Sequence, residues 1–106
     1  MSEWTDVAAV DDLLPGSCRQ VEVDGVAIAV FNVDNHYYAI EDVCSHEAET
    51  LSNGPLNGLE ITCPRHAARF SLVTGEALSP PAYEPVAIFP VRLENGRVQV
   101  RDNRFD

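Results

Sequence analysis

The chain has 106 residues, the length of about one domain, and its apolar fraction of 45% argues against disorder. A formal net charge of −10 and a pI near 4.5 would repel nucleic acid and anionic membrane surfaces, so a basic protein patch is the expected partner. No segment approaches the roughly 18 apolar residues of a membrane span, and no signal peptide is visible. We therefore expect a single cytoplasmic domain over residues 1–106.

The first half of the chain has the alternating pattern of short β-strands. Valine-rich or aromatic segments predict strands at Cys18–Val23, Val26–Val33 and His36–Glu41. Asp24-Gly25 is a strong signal for a two-residue hairpin turn, and Asp34-Asn35 supplies a second turn. The first two strands are thus predicted to form a hairpin, and the third continues after the second turn.

The C-terminal part of the chain repeats this pattern. A strand over Val86–Glu94 is predicted to pair with one over Arg97–Arg101 across the turn Asn95-Gly96, which favours a type I′ hairpin. Both halves together indicate an all-β fold, an antiparallel sandwich or barrel.

Between these halves, over residues 43–83, the alternation breaks up and glycine and proline accumulate. Two short strands, at Leu59–Thr62 and Arg69–Leu72, are predicted inside this stretch. We interpret residues 43–83 as an inserted subdomain that carries the functional site.

Two short motifs in this stretch combine a thiol with an imidazole: Cys44-Ser45-His46 and Cys63-Pro64-Arg65-His66. Mixed pairs of this kind suit an asymmetric two-iron cluster better than a single ion. A tetrahedral zinc site also accepts two Cys and two His, although zinc fingers group like ligands within each arm. A Cys-His nucleophile pair and chance placement are the weaker alternatives.

At these motifs the sequence resembles the Rieske family, whose pattern is C-x-H, a spacer of about sixteen residues or more, and C-P-x-H followed by an aromatic residue. This chain has CSH, sixteen residues and CPRHAARF. The resemblance continues through F-x-x-x-T-G-E-A-L, the SPPA loop and the segment FPVRLENGRVQV, so it covers nearly the whole chain.

The resemblance implies a Rieske-like β-sandwich with an inserted cluster-binding subdomain that holds one [2Fe-2S] cluster. Cys44 and Cys63 would hold one iron, while His46 and His66 would hold the other. Replacing two anionic thiolates by neutral imidazoles raises the reduction potential above that of an all-cysteine ferredoxin.

The neighbours of these ligands indicate a subtype. Respiratory Rieske subunits carry a bracing disulfide at the positions of Glu49 and Arg65, and hydroxyl donors to the cluster at those of Ala68 and Phe70. Without those groups a low potential is expected. Ala67 stands where many relatives have glycine, so a positive φ there would strain the backbone.

The function that the resemblance implies is that of a soluble, low-potential Rieske ferredoxin. It would not be an enzyme, but would carry single electrons from an NAD(P)H-dependent flavoprotein reductase to the terminal oxygenase of an aromatic-ring dioxygenase system. Its contacts would be transient, and the carrier itself a monomer. A small Rieske-fold subunit of an assimilatory nitrite reductase is the alternative, and a structural zinc module is a third hypothesis.

Two further residues could be mistaken for ligands. Cys18 is the third cysteine, and a small, buried strand residue is the simplest interpretation. His36 adjoins a turn and is expected to be exposed.

Glu47 and Glu49 follow the first motif and are candidates for partner docking.

Overall fold

A computed structural model of the chain describes residues 3–43, 50–52, 54–64, 67–80 and 84–104. Within these ranges the chain forms ten β-strands and one 3-10 turn at Val10–Asp12. The strands are β1 Thr5–Ala9, β2 Cys18–Val23, β3 Val26–Val33, β4 His36–Glu41, β5 Leu56–Asn57, β6 Glu60–Thr62, β7 Arg69–Ser71, β8 Ile88–Phe89, β9 Val91–Glu94 and β10 Arg97–Val100.

The strands form three antiparallel sheets. The central sheet has the order β2-β3-β4-β8, a second sheet has the order β1-β10-β9, and a small third sheet has the order β5-β6-β7. The predicted all-β antiparallel fold is confirmed. The third sheet lies inside the stretch that was expected to carry the site.

Strand β3 separates two apolar clusters, because its side chains alternate between the two faces of the central sheet. Ala29 and Phe31 pack in a cluster with residues of the third sheet, which we call the site-side core. Ile28 and Val30 pack in a second cluster with residues of the β1-β10-β9 sheet, the far-side core. Since both faces are covered, these four side chains are at most 2% exposed.

The turns between neighbouring strands have the predicted left-handed backbone. Asp24 and Gly25 have φ values of 51° and 80°, and Asn95 and Gly96 have φ values of 52° and 74°. Asp34 and Asn35, at 53° and 66°, adopt the same arrangement. Two consecutive positive φ angles are the signature of the type I′ hairpin, which matches the twist of the flanking strands.

The prediction of one continuous strand over Val86–Glu94 is wrong. The chain instead forms Ile88–Phe89, which pairs with β4, and Val91–Glu94, which pairs with β10 in another sheet. Pro90 lies between them, and a proline has no amide hydrogen to donate to a ladder. The chain therefore changes sheets at this residue.

Among the described residues, no helix has the length and apolar character that crossing a bilayer requires.

Candidate functional site

The second motif begins at the end of β6. The amide of Cys63 donates to the carbonyl of Ala68 at 2.7 Å, and the amide of Ala67 donates back to the carbonyl of Cys63 at 3.0 Å. These two bonds hold Cys63 and Ala68 together as the stem of a tight loop between β6 and β7. Arg65 and His66, which this stem encloses in sequence, lie outside the described residues.

Ala67 has the strained backbone that the sequence predicts. Its φ is 61°, in the left-handed region that glycine adopts without cost. The residue is exposed, so its methyl group gains little burial to offset the strain.

The first motif starts two positions after Asp42, a buried carboxylate that is 3% exposed. Its Oδ1 accepts hydrogen bonds from the amides of Leu51 and Ser52, both at 2.7 Å, and its Oδ2 accepts from the Ser52 hydroxyl at 2.7 Å and from Gln20 Nε2. Asp42 thus ties the start of this segment to its end. The predicted ligands Cys44 and His46, together with Glu47 and Glu49, lie outside the described residues.

The segment that carries the first motif contacts the segment that carries the second motif. The amide of Thr62 donates to the carbonyl of Pro55 at 3.1 Å. A Cβ added at Gly54 would lie 1.8 Å from the carbonyl oxygen of Thr62, so the position accepts only glycine. Because Thr62 immediately precedes Cys63, the end of the first segment lies against the start of the second.

Apolar packing surrounds these stems. Leu51 from the first segment and Cys63, Ala68 and Phe70 from the second all belong to the site-side core, and each is at most 1% exposed. Ala68 and Phe70 have no hydroxyl groups, as the sequence shows. Cys63 is therefore shielded from solvent by buried apolar side chains.

The chemistry of the predicted donor set fits a two-iron cluster. Cys63 is a free thiol that takes no part in a disulfide. The described residues contain no group of three His, Cys, Asp or Glu side chains able to hold a metal ion. The other three predicted ligands lie outside these residues, so the assignment of Cys44, His46 and His66 stays a prediction.

Two residues that the sequence analysis excluded as ligands lie outside both motifs, and of these Cys18 packs against the site-side core. Cys18 is half-buried at the start of β2, and its Sγ lies 3.5 Å from the carbonyl oxygen of Ser52. Burial, and to a smaller extent the Asp42 charge, raise the pKa of this thiol. His36 is exposed at the first position of β4, as predicted.

Sequence reasoning missed Asp42 and Gly54. An acidic residue at the end of a strand and a glycine in a turn-rich stretch are common, and neither carries a local signal of its long-range partner. The proximity of Asp42 to the first motif was the one available hint.

Comparison with known proteins identifies the family. The Rieske [2Fe-2S] domain model matches residues 3–90. The ferredoxin component of the naphthalene 1,2-dioxygenase/salicylate 5-hydroxylase systems of Ralstonia sp. is 40% identical over 98 residues, covering 92% of this chain and 94% of that protein.

Solved structures agree with this match. One similar structure is a chain of the complex of reduced oxygenase and oxidized ferredoxin in carbazole 1,9a-dioxygenase. Its TM-score is 0.87 at 39% identity, and the match covers 92% of this chain and 91% of that chain. A structure described as an NADH-dependent nitrite reductase small subunit from Mycobacterium tuberculosis has a TM-score of 0.85 at 28% identity, with 96% of each chain covered. The chain belongs to the Rieske [2Fe-2S] domain family, and its cofactor is a Rieske-type [2Fe-2S] cluster.

Proposed function

We propose that this chain is a Rieske ferredoxin, the electron carrier of an aromatic-ring dioxygenase system, and not itself an enzyme. It would receive single electrons from an NAD(P)H-dependent flavoprotein reductase and deliver them to a terminal oxygenase. The observation that carries this function is the similarity to dioxygenase ferredoxins over 92% of the chain. The family model spans residues 3–90, which contain both ligand motifs. We propose further that the chain acts in the cytoplasm as a monomeric single domain, whose residues 43–83 form the cluster-binding subdomain.

The cluster ligands in this proposal are Cys44 and Cys63 for one iron and His46 and His66 for the other. When bound, the cluster supplies reversible one-electron chemistry. The chain contributes the surroundings: Cys63 is buried in an apolar core, which excludes water from its sulfur. The hydrogen-bonded stems at Asp42 and Ala68 fix the ends of both ligand segments.

Metal analysis with matched cysteine variants tests the ligand assignment. The purified protein should contain two irons and two acid-labile sulfides per chain, whereas one zinc without sulfide would reject the cluster. Cys63→Ala should abolish this content. Cys18→Ala is the control, because Cys18 is outside both motifs, and it should retain the full content. Retention of the cluster by Cys63→Ala would refute the assignment.

The reduction potential should lie at the low end of the Rieske range, at about −150 mV. Ala68 and Phe70 cannot donate the hydroxyl hydrogen bonds that stabilise a reduced cluster, and both side chains are fully buried. A redox titration of the purified protein measures this. A midpoint well above zero would contradict the argument.

Partner docking should be transient and electrostatically steered, because the net charge is −10 and weak redox encounters are small. A reconstituted system with a dioxygenase reductase and oxygenase should therefore transfer electrons more slowly as ionic strength rises. A rate that does not change with salt would rule out steering. No electron transfer to the oxygenase from the reduced, cluster-loaded protein would refute the proposed function.

The alternative function is that of a nitrite reductase small subunit, favoured by the structural likeness to one at 28% identity. Purification from its native cells separates the two functions. A carrier should elute alone, whereas a subunit should co-purify with a large sirohaem protein.

A further inference from the structure

The carboxylate of Asp42 lies at the centre of a hydrogen-bond network beside the first ligand segment. Its four donors are the amides of Leu51 and Ser52, the Ser52 hydroxyl and the Gln20 side-chain amide. None of these partners in the described part of the chain is a cation. A buried carboxylate with neutral donors is held by charge-assisted hydrogen bonds, which are about twice as strong as neutral ones.

This network closes a loop around the first motif. Asp42 lies two positions before Cys44, and its hydrogen-bond partners Leu51 and Ser52 follow the segment's last residues. The amide of Asp42 donates to the carbonyl of Ala27 at 2.8 Å, which anchors the network to the central sheet. The two ends of the segment therefore have a fixed separation.

The same network reaches the second motif through the backbone. The amide of Gly54 donates to the carbonyl of Leu51 at 3.0 Å, and the carbonyl of Pro55 accepts from the amide of Thr62 at 3.1 Å. Gly54 permits close contact with the Thr62 carbonyl. Because Thr62 precedes Cys63, a shift of the Asp42 partners would move one ligand segment relative to the other.

We propose that Asp42 is a positioning residue that holds the two cluster-ligand segments in register and biases the cluster toward its oxidised state. This inference rests on the proposed function, since it needs the cluster at those segments. Two physical effects are combined. The hydrogen bonds fix the segment ends, and the buried negative charge disfavours the extra electron of the reduced cluster.

Two substitutions at Asp42 separate these effects. In Asp42→Asn the side-chain oxygen still accepts from the two backbone amides, but the charge is gone. The new amide nitrogen replaces Oδ2, so the Ser52 hydroxyl has to accept from it and Gln20 has to turn its amide oxygen toward it. In Asp42→Ala both the acceptor oxygens and the negative charge are lost, so the amides of Leu51 and Ser52 lose their acceptor. Asp102→Ala is the matched control, because Asp102 is also a buried carboxylate, 2% exposed, but packs with Arg104 near the C-terminus.

The measurements use the cluster-loaded proteins. Cluster release to an iron chelator is followed by visible absorbance, amide exchange over residues 50–52 by mass spectrometry, and the midpoint potential by EPR-monitored titration. Asp42→Ala should release the cluster faster than the wild type, by a factor up to about the 10–100-fold that loss of a residue supporting a ligand costs in metal affinity, with faster exchange at residues 50–52. Asp42→Asn should restore slow release and slow exchange, while its potential becomes more positive than that of the wild type.

The control should lower thermal stability without changing release or potential. The inference is overturned if Asp42→Ala releases its cluster at the wild-type rate, if Asp102→Ala accelerates release equally, or if Asp42→Asn leaves the potential unchanged. Should Asp42→Ala not fold, Ser52→Ala removes one hydroxyl donor and should accelerate release by a smaller factor; no acceleration would count against the network. A wild-type protein without iron and sulfide would instead refute the proposed function itself.

Discussion

Replacing Ala67 by glycine should stabilise the protein. An L-residue in the left-handed region costs about 1–2 kcal/mol, and Ala67 has a φ of 61°. Glycine avoids this cost but loses roughly 0.5–1 kcal/mol through the greater freedom of its unfolded chain. The exposed methyl group contributes little packing. The difference between these two ranges is about 0–1.5 kcal/mol. Its centre, about 0.75 kcal/mol, is the expected rise in the free energy of unfolding and corresponds to a thermal midpoint roughly 3–6 °C higher.

Thermal unfolding of the cluster-loaded protein, followed by far-UV circular dichroism, measures this difference. Asn95→Gly is the matched control, because Asn95 also has a positive φ of 52°, but asparagine tolerates that conformation. Its midpoint should change less than that of Ala67→Gly. Iron content and the EPR spectrum should match the wild type in both variants. An unchanged or lower midpoint for Ala67→Gly would refute the assignment of strain to this residue.

Three other substitutions have defined consequences. Gly75→Ala should destabilise the fold by about 2 kcal/mol or more in urea unfolding. The φ of Gly75 is 79°, and an added Cβ would lie 2.2 Å from the carbonyl oxygen of Val86. Wild-type stability of the variant would contradict this close approach. Asn32→Ala should cost about 1–3 kcal/mol of unfolding free energy in the same assay. The Asn32 side chain is 1% exposed, donates to the carbonyl of Leu13 and accepts from the amide of Asn35. A smaller loss would mean that water replaces these two hydrogen bonds. The Arg104 guanidinium lowers the pKa of Asp102. The loss of unfolding free energy in Asp102→Asn should therefore be constant above about pH 4 and should shrink as pH falls below it. A difference in stability between variant and wild type that does not change with pH would exclude this ion pair.

The strands with clean alternation could be predicted from sequence, and β2, β3 and β4 have the predicted bounds. Strand β1 was missed for a physical reason. Its register shifts between Asp6 and Ala8, a β-bulge, so Val7 and Ala8 are both buried and the alternating pattern is lost. Strand β5 was missed because two residues are too few to show a period.

Prediction of the site depended on the chemistry of its ligands. Thiols and imidazoles in mixed pairs are rare enough to indicate a cofactor, and the flanking residues indicate the family. The contacts that hold the two ligand segments in place could not be predicted in this way. Asp42 and its partners at positions 51 and 52 are joined by side-chain to backbone hydrogen bonds, and backbone amides have no sequence signature. The contact between Gly54 and Thr62 is likewise set by tertiary packing.

The alternation of β3 between two cores has a consequence for how the protein matures. The far-side core, which includes Ile28, Val30, Val98 and Val100, is built from sheets that contain none of the proposed ligands. We expect this half to fold before any iron arrives, giving the nascent chain a rigid platform on which the ligand segments then close. Cluster delivery would thus be a late step on a largely folded acceptor, and loss of the cluster should disturb the site-side core more than the far-side core.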